Sequence, residues 1–282
     1  MIGVPPDPPG THPSGTDLTL PGEARVAIAG DWRGSIGWVQ QALPWLHRAA
    51  PDVRTVLQLG DFGYWPRADP PGKEFLAAID YWCRRSGLER ILFTPGNHEY
   101  WPDLLKLFAE HPDRMVQVTE YAWAIPRGYR FTLGGRGFMS FGGAASHDAQ
   151  HRVEGRTWFR EEISTKEEAD VAMVDPKMDI LLSHDTPAPT PQIKEIIRRG
   201  RLEHDIDFQI RDGAARRRLF YVWDYHRPKV AFHAHFHTAG LVELPDGRRI
   251  YSLGKDGQET NLSVMDLRTL DVDWLADVRN EE

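Results

Sequence analysis

The sequence predicts an α/β (α+β) protein, a two-sheet β-sandwich flanked by helices. In the first hundred residues, short apolar runs alternate with amphipathic stretches, which is typical of parallel strands joined by helical crossovers. The middle and the end of the chain carry closely spaced strand candidates, which indicate antiparallel pairing. Since no repeat or linker divides the 282 residues, we assign residues 21–282 to a single domain. Residues 1–20, rich in Pro and Gly, are predicted to form a disordered tail.

Composition is that of an ordinary globular protein, with 41% hydrophobic and 27% charged residues. We expect a cytoplasmic protein with no membrane contact, because the sequence has neither a long apolar run nor a signal pattern. The single cysteine, Cys83, excludes an intramolecular disulfide. The net charge of −7 argues against a non-specific nucleic-acid binder, so nucleic acid remains possible only as a substrate. The sequence does not indicate the oligomeric state.

Alternation of strand and helix is clearest near the start of the chain. Apolar runs at 25–31, 55–61 and 90–94 predict three strands. Amphipathic stretches at 35–50 and 72–85 predict the helices between them. The three strands should therefore be parallel neighbours, with their carboxyl ends at one edge of a sheet.

The later elements follow the same reasoning from periodicity. Further helices are predicted at 101–110, 166–173, 192–199 and 206–225, with Gly200 separating the last two. Short strands within 116–143 are predicted to form a local antiparallel meander. Strands are also predicted at 179–184, 229–232, 240–244, 248–253, 262–267 and 272–275.

Five of the predicted strands lead directly into Asp, Asn or His. These residues are Asp31, Asp61, Asn97, His98, His184, His235 and His237. Carboxylate and amide oxygens together with imidazole nitrogens suit Mn, Fe, Co, Ni or Zn. Because the set contains no thiolate, a structural zinc site is disfavoured. The pattern predicts a metal site at the carboxyl ends of the strands.

Five motifs carry a family resemblance. In chain order they are Gly30-Asp31-Trp32-Arg33-Gly34, Gly60-Asp61, Gly96-Asn97-His98-Glu99, Ser183-His184 and His235-Phe236-His237. Over residues 25–253 the chain resembles the calcineurin-like metallophosphoesterase superfamily. Residues 141–162 resemble its small phage and actinobacterial members. The chain reads Gly-Asp-Phe-Gly-Tyr-Trp at 60–65, which disfavours the serine/threonine protein phosphatase branch.

The resemblance implies a metal-dependent phosphoesterase that hydrolyses a phosphomonoester or phosphodiester by attack of metal-bound hydroxide. It implies two divalent ions, with Mn²⁺ favoured and Fe, Zn, Ni or Co possible. Asp61 would bridge the ions. The first ion would be held by Asp31 and His237, and the second by Asn97, His184 and His235. Asn97 and His98 would contact the substrate phosphate, and His98 would protonate the leaving oxygen.

Two departures from the family pattern leave an alternative open. Arg33 replaces a histidine that would bind the first metal, and arginine cannot ligate a metal because it stays protonated. The first site would then be weak or empty, whereas Arg33 could pair with phosphate. Ala234 replaces a glycine, which matters only if that backbone has positive φ. The alternative is a catalytically weak or inactive phosphate-binding module. Arg152 lies in a polar loop that either reaches the substrate or is merely solvated.

Overall fold

Two mixed sheets of seven strands each form the centre of the part of the chain that this computed structural model describes, residues 16–67, 71–203 and 206–278. The strands are β1 Thr16–Asp17, β2 Arg25–Ala29, β3 Thr55–Gln58, β4 Arg90–Phe93, β5 Val116–Gln117, β6 Ala122–Ala124, β7 Arg130–Leu133, β8 Arg136–Phe141, β9 Ile180–Ser183, β10 Val230–His233, β11 Gly240–Glu243, β12 Arg249–Ser252, β13 Leu262–Asp266 and β14 Val272–Trp274. The first sheet has the order β14-β13-β2-β3-β4-β6-β5. The second sheet has the order β1-β7-β8-β9-β10-β12-β11.

The helices lie on the outer faces of the sheets. They are α1 Ile36–Ala49, α2 Pro71–Arg85, α3 Trp101–Glu110, α4 Lys166–Ala172, α5 Pro191–Glu203 and α6 Ile206–His226. Ser35 begins α1 as its N-cap, since its hydroxyl accepts the Trp38 N–H at 3.2 Å. In the described ranges, none of the helices is long and apolar enough to cross a membrane.

The predicted break at Gly200 is wrong. Helix α5 continues through Gly200 to Glu203, and α6 begins at Ile206. A glycine inside a helix costs about 1 kcal/mol relative to alanine, but its backbone still adopts the helical conformation without a clash. The flanking residues are good helix formers, so one glycine does not end the helix.

Parallel pairing of the first three strands is confirmed. Strand β2 pairs with β3 and β3 pairs with β4, both in parallel, with Ala27 opposite Val56 and Leu57 opposite Leu92. Their carboxyl ends therefore share one edge of the first sheet. Strands β9 and β10 are also parallel neighbours, so their carboxyl ends share an edge of the second sheet.

The prediction of a single antiparallel meander over residues 116–143 is wrong, because the two hairpins of this segment belong to different sheets. The β5–β6 hairpin joins the first sheet through a parallel pairing of β6 with β4. The β7–β8 hairpin joins the second sheet beside β9. Alternation within a strand identifies the hairpin but not the sheet that it extends, which depends on contacts distant in sequence.

Three apolar layers account for the two-sheet arrangement. Alternate residues of β2 face opposite ways, so Val26 and Ile28 pack between the sheets while Ala27 and Ala29 pack under the helices of the first sheet. The layer between the sheets includes the stacked rings of Phe131 and Phe138. A third layer joins the outer face of the second sheet to α4 and α6. The predicted two-sheet sandwich flanked by helices is thus confirmed.

The predicted disordered tail, residues 1–20, extends too far, because its last residues are part of the fold. Thr16 and Asp17 form β1, which pairs in parallel with β7. Leu18 is buried, and its N–H donates to the Thr132 carbonyl at 2.9 Å. A strand of two residues is too short to produce a periodic pattern, so no sequence signal marks it. Residues 1–15 of the predicted tail lie outside the described residues.

Candidate metal centre

Predicted ligands from both sheets meet at one edge of the sandwich. Asp31 follows β2, Asp61 follows β3 and Asn97 follows β4, all from the first sheet. The histidines come from the second sheet, where His184 follows β9, and His235 and His237 follow β10. All of these strands run in parallel toward the same edge of their sheets, which explains why residues so distant in sequence converge.

The contacts at the centre are short. Ligand atoms of Asp31, Asp61 and His184 all lie within 4.8 Å of one another, and all three side chains are buried. His184 Nε2 lies 2.9 Å from Asn97 Oδ1 and 3.3 Å from Asp61 Oδ1. His237 Nε2 lies 2.9 Å from Asp31 Oδ2. These oxygen and nitrogen atoms are as close to one another as ligand atoms around a common metal ion.

Backbone strain marks the loops that carry these side chains. Asp61, His235 and His237 have φ of 48°, 64° and 53°, in the left-handed region that non-glycine residues rarely occupy. Such a conformation costs of order 1–3 kcal/mol and persists only where the surroundings hold it. Ala234 is absent from the positive-φ residues, so its replacement of a glycine introduces no backbone strain.

Two glycines allow the loops to approach each other closely. A Cβ on Gly60 would lie 2.5 Å from His184 Nδ1, and one on Gly96 would lie 2.3 Å from the Asp61 nitrogen. Gly60 also has φ of +96°. Any other residue at either position would push the ligand-bearing loops apart, which explains the Gly-Asp and Gly-Asn-His sequences.

Asp61 and His184 form a tightly coupled buried pair. Burial opposes ionisation of Asp61, but the imidazoles of His184 and His98 outweigh it and hold the pKa of this carboxyl well below its usual range. Burial likewise opposes a charge on His184, yet the Asp61 carboxylate raises its pKa to about 10. The centre therefore stabilises positive charge. A divalent cation would compete with the proton of His184 for this position.

His235 differs from His184 in its charge. Burial, reinforced by the neighbouring His184, holds the pKa of His235 well below its usual range. The two rings have their centroids 5.0 Å apart. A neutral imidazole is the form that binds a metal, so His235 needs no deprotonation to act as a ligand.

Glu99 holds the loops rather than taking part in the metal-ligand cluster. Its carboxyl accepts N–H groups from Phe62, Gly63 and Gly96 at 2.6, 3.3 and 2.5 Å. Burial, together with the nearby charge of Asp61, raises the pKa of Glu99 to about 8. The side chain thus fastens the loop after β3 to the loop after β4, the two segments that carry Asp61 and Asn97.

Arg152 reaches the predicted general acid. Its Nη1 lies 3.0 Å from His98 Nδ1, and arginine can only donate, so Nδ1 must accept. The His98 proton therefore lies on Nε2. His98 itself is anchored by its backbone N–H, which donates to Asp61 Oδ1 at 2.9 Å. The predicted loop contact of Arg152 with the site is an interaction with His98.

Within the described ranges, no hydrogen bond or ion pair joins the Arg33 side chain to a predicted metal ligand, although Arg33 is only two residues from Asp31. Its backbone N–H donates to the Asp61 carbonyl at 2.6 Å, but within the described ranges its guanidinium makes no ion pair with any carboxylate. The side chain is exposed and lines a cleft of about 310 Å³ that also contains His98, Arg152 and Trp65. The arrangement avoids crowding two positive charges at the centre.

Two residues that the sequence analysis missed orient Asn97. Asn97 Nδ2 donates to Ser146 Oγ at 2.9 Å, and Ser146 Oγ donates to the buried carboxyl of Glu162 at 2.7 Å. The Ser146 N–H also donates to Glu162 at 2.7 Å. Because Ser146 holds the amide nitrogen of Asn97, the amide oxygen of Asn97 faces His184. Ser146 and Glu162 lie in a polar loop without a periodic or motif signal for this role.

Replacing Ser146 with alanine should weaken metal binding without unfolding the protein. The change removes the acceptor that fixes the Asn97 amide, and loss of such a supporting contact typically costs about 10–100-fold in metal affinity or activity. Titration of the apoprotein with Mn²⁺ by calorimetry measures the effect. Ser86→Ala, at a buried serine between α2 and the first residue of β4, is the control. Equal Mn²⁺ affinity of wild type and Ser146→Ala would contradict the assigned role.

Asn261 fixes the backbone of Asp31, the first of the predicted ligands. Its Oδ1 accepts the indole N–H groups of Trp32 and Trp38 at 3.0 and 2.9 Å. Its Nδ2 donates to the carbonyls of Asp31 and Gly254 at 3.1 and 3.0 Å. Trp32 is consequently a fully buried part of the support, whereas Trp65 lines the cleft. A single asparagine far along the chain gives no sequence signal for this contact.

Chemically, the donor set fits divalent metal ions. Two carboxylates, an amide oxygen and three imidazoles converge without a thiolate, the combination that suits borderline and hard divalent cations. The raised pKa of His184 shows that the same position already favours positive charge. The fold and the site together define an α/β protein with a buried carboxylate–histidine cluster at the ends of its strands, which could hold a metal ion.

Comparison with known proteins gives the family. A family model described as calcineurin-like phosphoesterase matches residues 24–239, and the chain belongs to this family. It is accordingly a metallophosphoesterase in class, as the sequence motifs predicted. No curated protein matches the sequence.

Solved structures show the same fold at low sequence identity. A dimetal phosphatase from Danio rerio is 12% identical, with a TM-score of 0.53 over 88% of this chain and 93% of that one. The protein TT1561 of Thermus thermophilus is 14% identical, with a TM-score of 0.51 over 89% of this chain and 97% of that one. At such identities the likeness concerns the fold, and the reaction must be argued from the site.

Proposed function

We propose that the protein hydrolyses a phosphomonoester or phosphodiester with the help of divalent metal ions. The observation that carries the proposal is the convergence of ligand side chains from both sheets beside His98, whose Nε2 carries a proton. A cluster of ligands alone would support metal storage. A positioned proton donor beside them supports group transfer to water.

Within this proposal, two divalent ions would share Asp61. Asp31 and His237 would hold the first ion, and Asn97, His184 and His235 would hold the second. Arg33 leaves the first site one histidine short, so we propose a weaker first ion and favour Mn²⁺, with Fe, Zn, Ni or Co as alternatives. Divalent ions bound there supply Lewis acidity toward phosphoryl oxygens and lower the pKa of water.

The side chains around the ligands do the remaining work. His98 Nε2–H is placed to donate to the leaving oxygen, and Arg152 keeps the proton on that nitrogen through its bond to Nδ1. The Asn97 amide contributes to positioning the phosphate beside the metals. Arg33 and Arg152 bind anionic oxygens of the substrate, since arginine presents several donors in a fixed geometry.

The test is hydrolysis by metal-stripped protein refilled with Mn²⁺. We expect turnover of p-nitrophenyl phosphate or bis(p-nitrophenyl) phosphate that requires the metal. Asn97→Ala should abolish it, because it removes a ligand and the partner of His184 at once. Gln41→Ala, on the exposed side of α1, is the matched control. The ratio of diester to monoester rates distinguishes the two substrate classes.

A second candidate function rests on Arg33. If the altered first site cannot hold an ion, the protein would bind a phosphorylated ligand through Arg33 and one metal without cleaving it. Metal-dependent binding of inorganic phosphate, together with no turnover of either nitrophenyl ester across Mn²⁺, Zn²⁺, Ni²⁺ and Co²⁺, would favour this function. Turnover that disappears in Asn97→Ala excludes it.

A further inference from the structure

The cleft beside the metal centre is positively charged. Its described lining contains the guanidinium groups of Arg33 and Arg152, the ring of His98 and no carboxylate. Arg152 is held at 3.0 Å by His98 Nδ1 and at 3.7 Å by Asp148. The Arg33 guanidinium has no hydrogen bond or ion pair within the described part of the chain. Arg152 therefore shares its donors with His98 and Asp148, whereas all guanidinium donors of Arg33 are available to a ligand within the described part of the chain.

Arg33 is not paired with the carboxylates beside it. Asp31 lies two residues away and the Arg33 N–H donates to the Asp61 carbonyl, yet within the described ranges neither carboxylate forms an ion pair with the guanidinium, although attraction would favour one. The Arg33 side chain lines the cleft together with Pro71 and Gly72 at the beginning of α2. The N-terminal end of a helix carries a partial positive charge, which adds to that of Arg33.

The rest of the described lining carries no charge and consists of Trp65, Pro71, Phe75 and three glycines. Gly34 and Gly63 form one side in such close contact that a Cβ on Gly63 would lie 2.3 Å from the Gly34 nitrogen. Trp65 forms another side. It is fixed by its indole N–H, which donates to the His98 carbonyl at 2.5 Å, and by packing against Tyr100. An apolar group of a ligand bound in this cleft would contact Trp65.

We propose that the substrate is a phosphate ester whose leaving group carries a second anionic group, a carboxylate or another phosphate. The reacting phosphate lies at the metal centre beside His98, the body of the leaving group lies against Trp65, and the second anion binds Arg33. This inference rests on the proposed function and narrows its substrate class. It also gives a reason for arginine where the family pattern has a metal-binding histidine.

The test compares 4-carboxyphenyl phosphate with 4-carbamoylphenyl phosphate, which has the same shape but no second charge. For the Mn²⁺ protein we expect kcat/KM to favour the carboxylate substrate by about tenfold or more, as a charge-assisted hydrogen bond allows. In Arg33→Gln this ratio should fall to about one. Arg48→Gln, at an exposed arginine on α1, should retain the wild-type ratio.

A binding measurement keeps the test independent of turnover. The corresponding 4-carboxyphenyl and 4-carbamoylphenyl phosphonates are titrated into the Mn²⁺ protein by calorimetry, at fixed ionic strength. Preference for the charged phosphonate that is lost in Arg33→Gln supports the inference even if no ester is hydrolysed, in which case the proposed function fails alone. Equal binding of both phosphonates overturns the inference. So does an Arg33→Gln variant that weakens both equally, because Arg33 would then contact the reacting phosphate.

Discussion

Replacing Asp61 with asparagine is expected to lower kcat/KM by at least about 10³-fold. A bound metal contributes several kcal/mol to a phosphoryl-transfer transition state, and each 1.36 kcal/mol is about tenfold in rate. Asp61 is the carboxylate nearest to both His184 and the His98 backbone, at 3.3 and 2.9 Å. Asparagine keeps its shape and its acceptor oxygen but removes the charge that would attract two cations.

Metal content distinguishes this cause from misfolding. Elemental analysis of the Mn²⁺-loaded variant should show less than the wild-type metal content, while its circular dichroism spectrum stays unchanged. Asp224→Asn, at an exposed position of α6, provides the matched control and should retain both metal and activity. If Asp61→Asn keeps its metal and works within about tenfold of wild type, Asp61 does not bridge the ions.

Replacing Gly60 with alanine is expected to lower the free energy of unfolding by about 2–5 kcal/mol. The backbone at Gly60 has φ of +96°, and the new Cβ would lie 2.5 Å from His184 Nδ1 and 2.7 Å from Gly96 Cα. The conformation costs roughly 1–2 kcal/mol in an alanine, and the overlap adds roughly 1–3 kcal/mol. Urea unfolding of the apoprotein measures the change.

A matched variant at Gly247 distinguishes the cost of the backbone conformation from the cost of the steric overlap. It also has positive φ, +83°, but a Cβ there would meet nothing within 4 Å. Gly247→Ala should therefore show only the conformational cost, about 1–2 kcal/mol. A similar loss of stability in both variants would mean that the loops after β3 and β4 can move apart without penalty, against the close packing described for the site.

Much of the site was predictable because strand ends carry a local signal. An apolar run that stops at Gly-Asp or Gly-Asn-His places the polar residue at a known edge of a parallel sheet, so the ligand positions follow from topology. Periodicity likewise predicted β2, β3, β4 and the helices between them. It also predicted strands at the positions of β5–β8, but not the sheet that each hairpin joins, since the same alternation fits either sheet.

The supporting contacts had no such signal. Asn261 accepts indole N–H groups from residues 229 and 223 positions earlier, and Glu162 acts on Asn97 only through Ser146. Arg152 contacts His98 across 54 positions. These partners are determined by how the folded loops meet, and a polar residue in a loop looks the same in the sequence whether it is solvated or engaged.

Because the ligands come from both sheets, a cation at this centre would join the two halves of the sandwich. Asp31 and His237, in contact at 2.9 Å, are separated by 206 positions in the chain. A metal that binds only the folded chain adds RT ln(1 + [L]/Kd) to its stability, about 2.7 kcal/mol at a hundredfold excess over Kd. Chelators should consequently lower the melting temperature and expose the chain to proteases, so that metal supply would govern the lifetime of the folded protein.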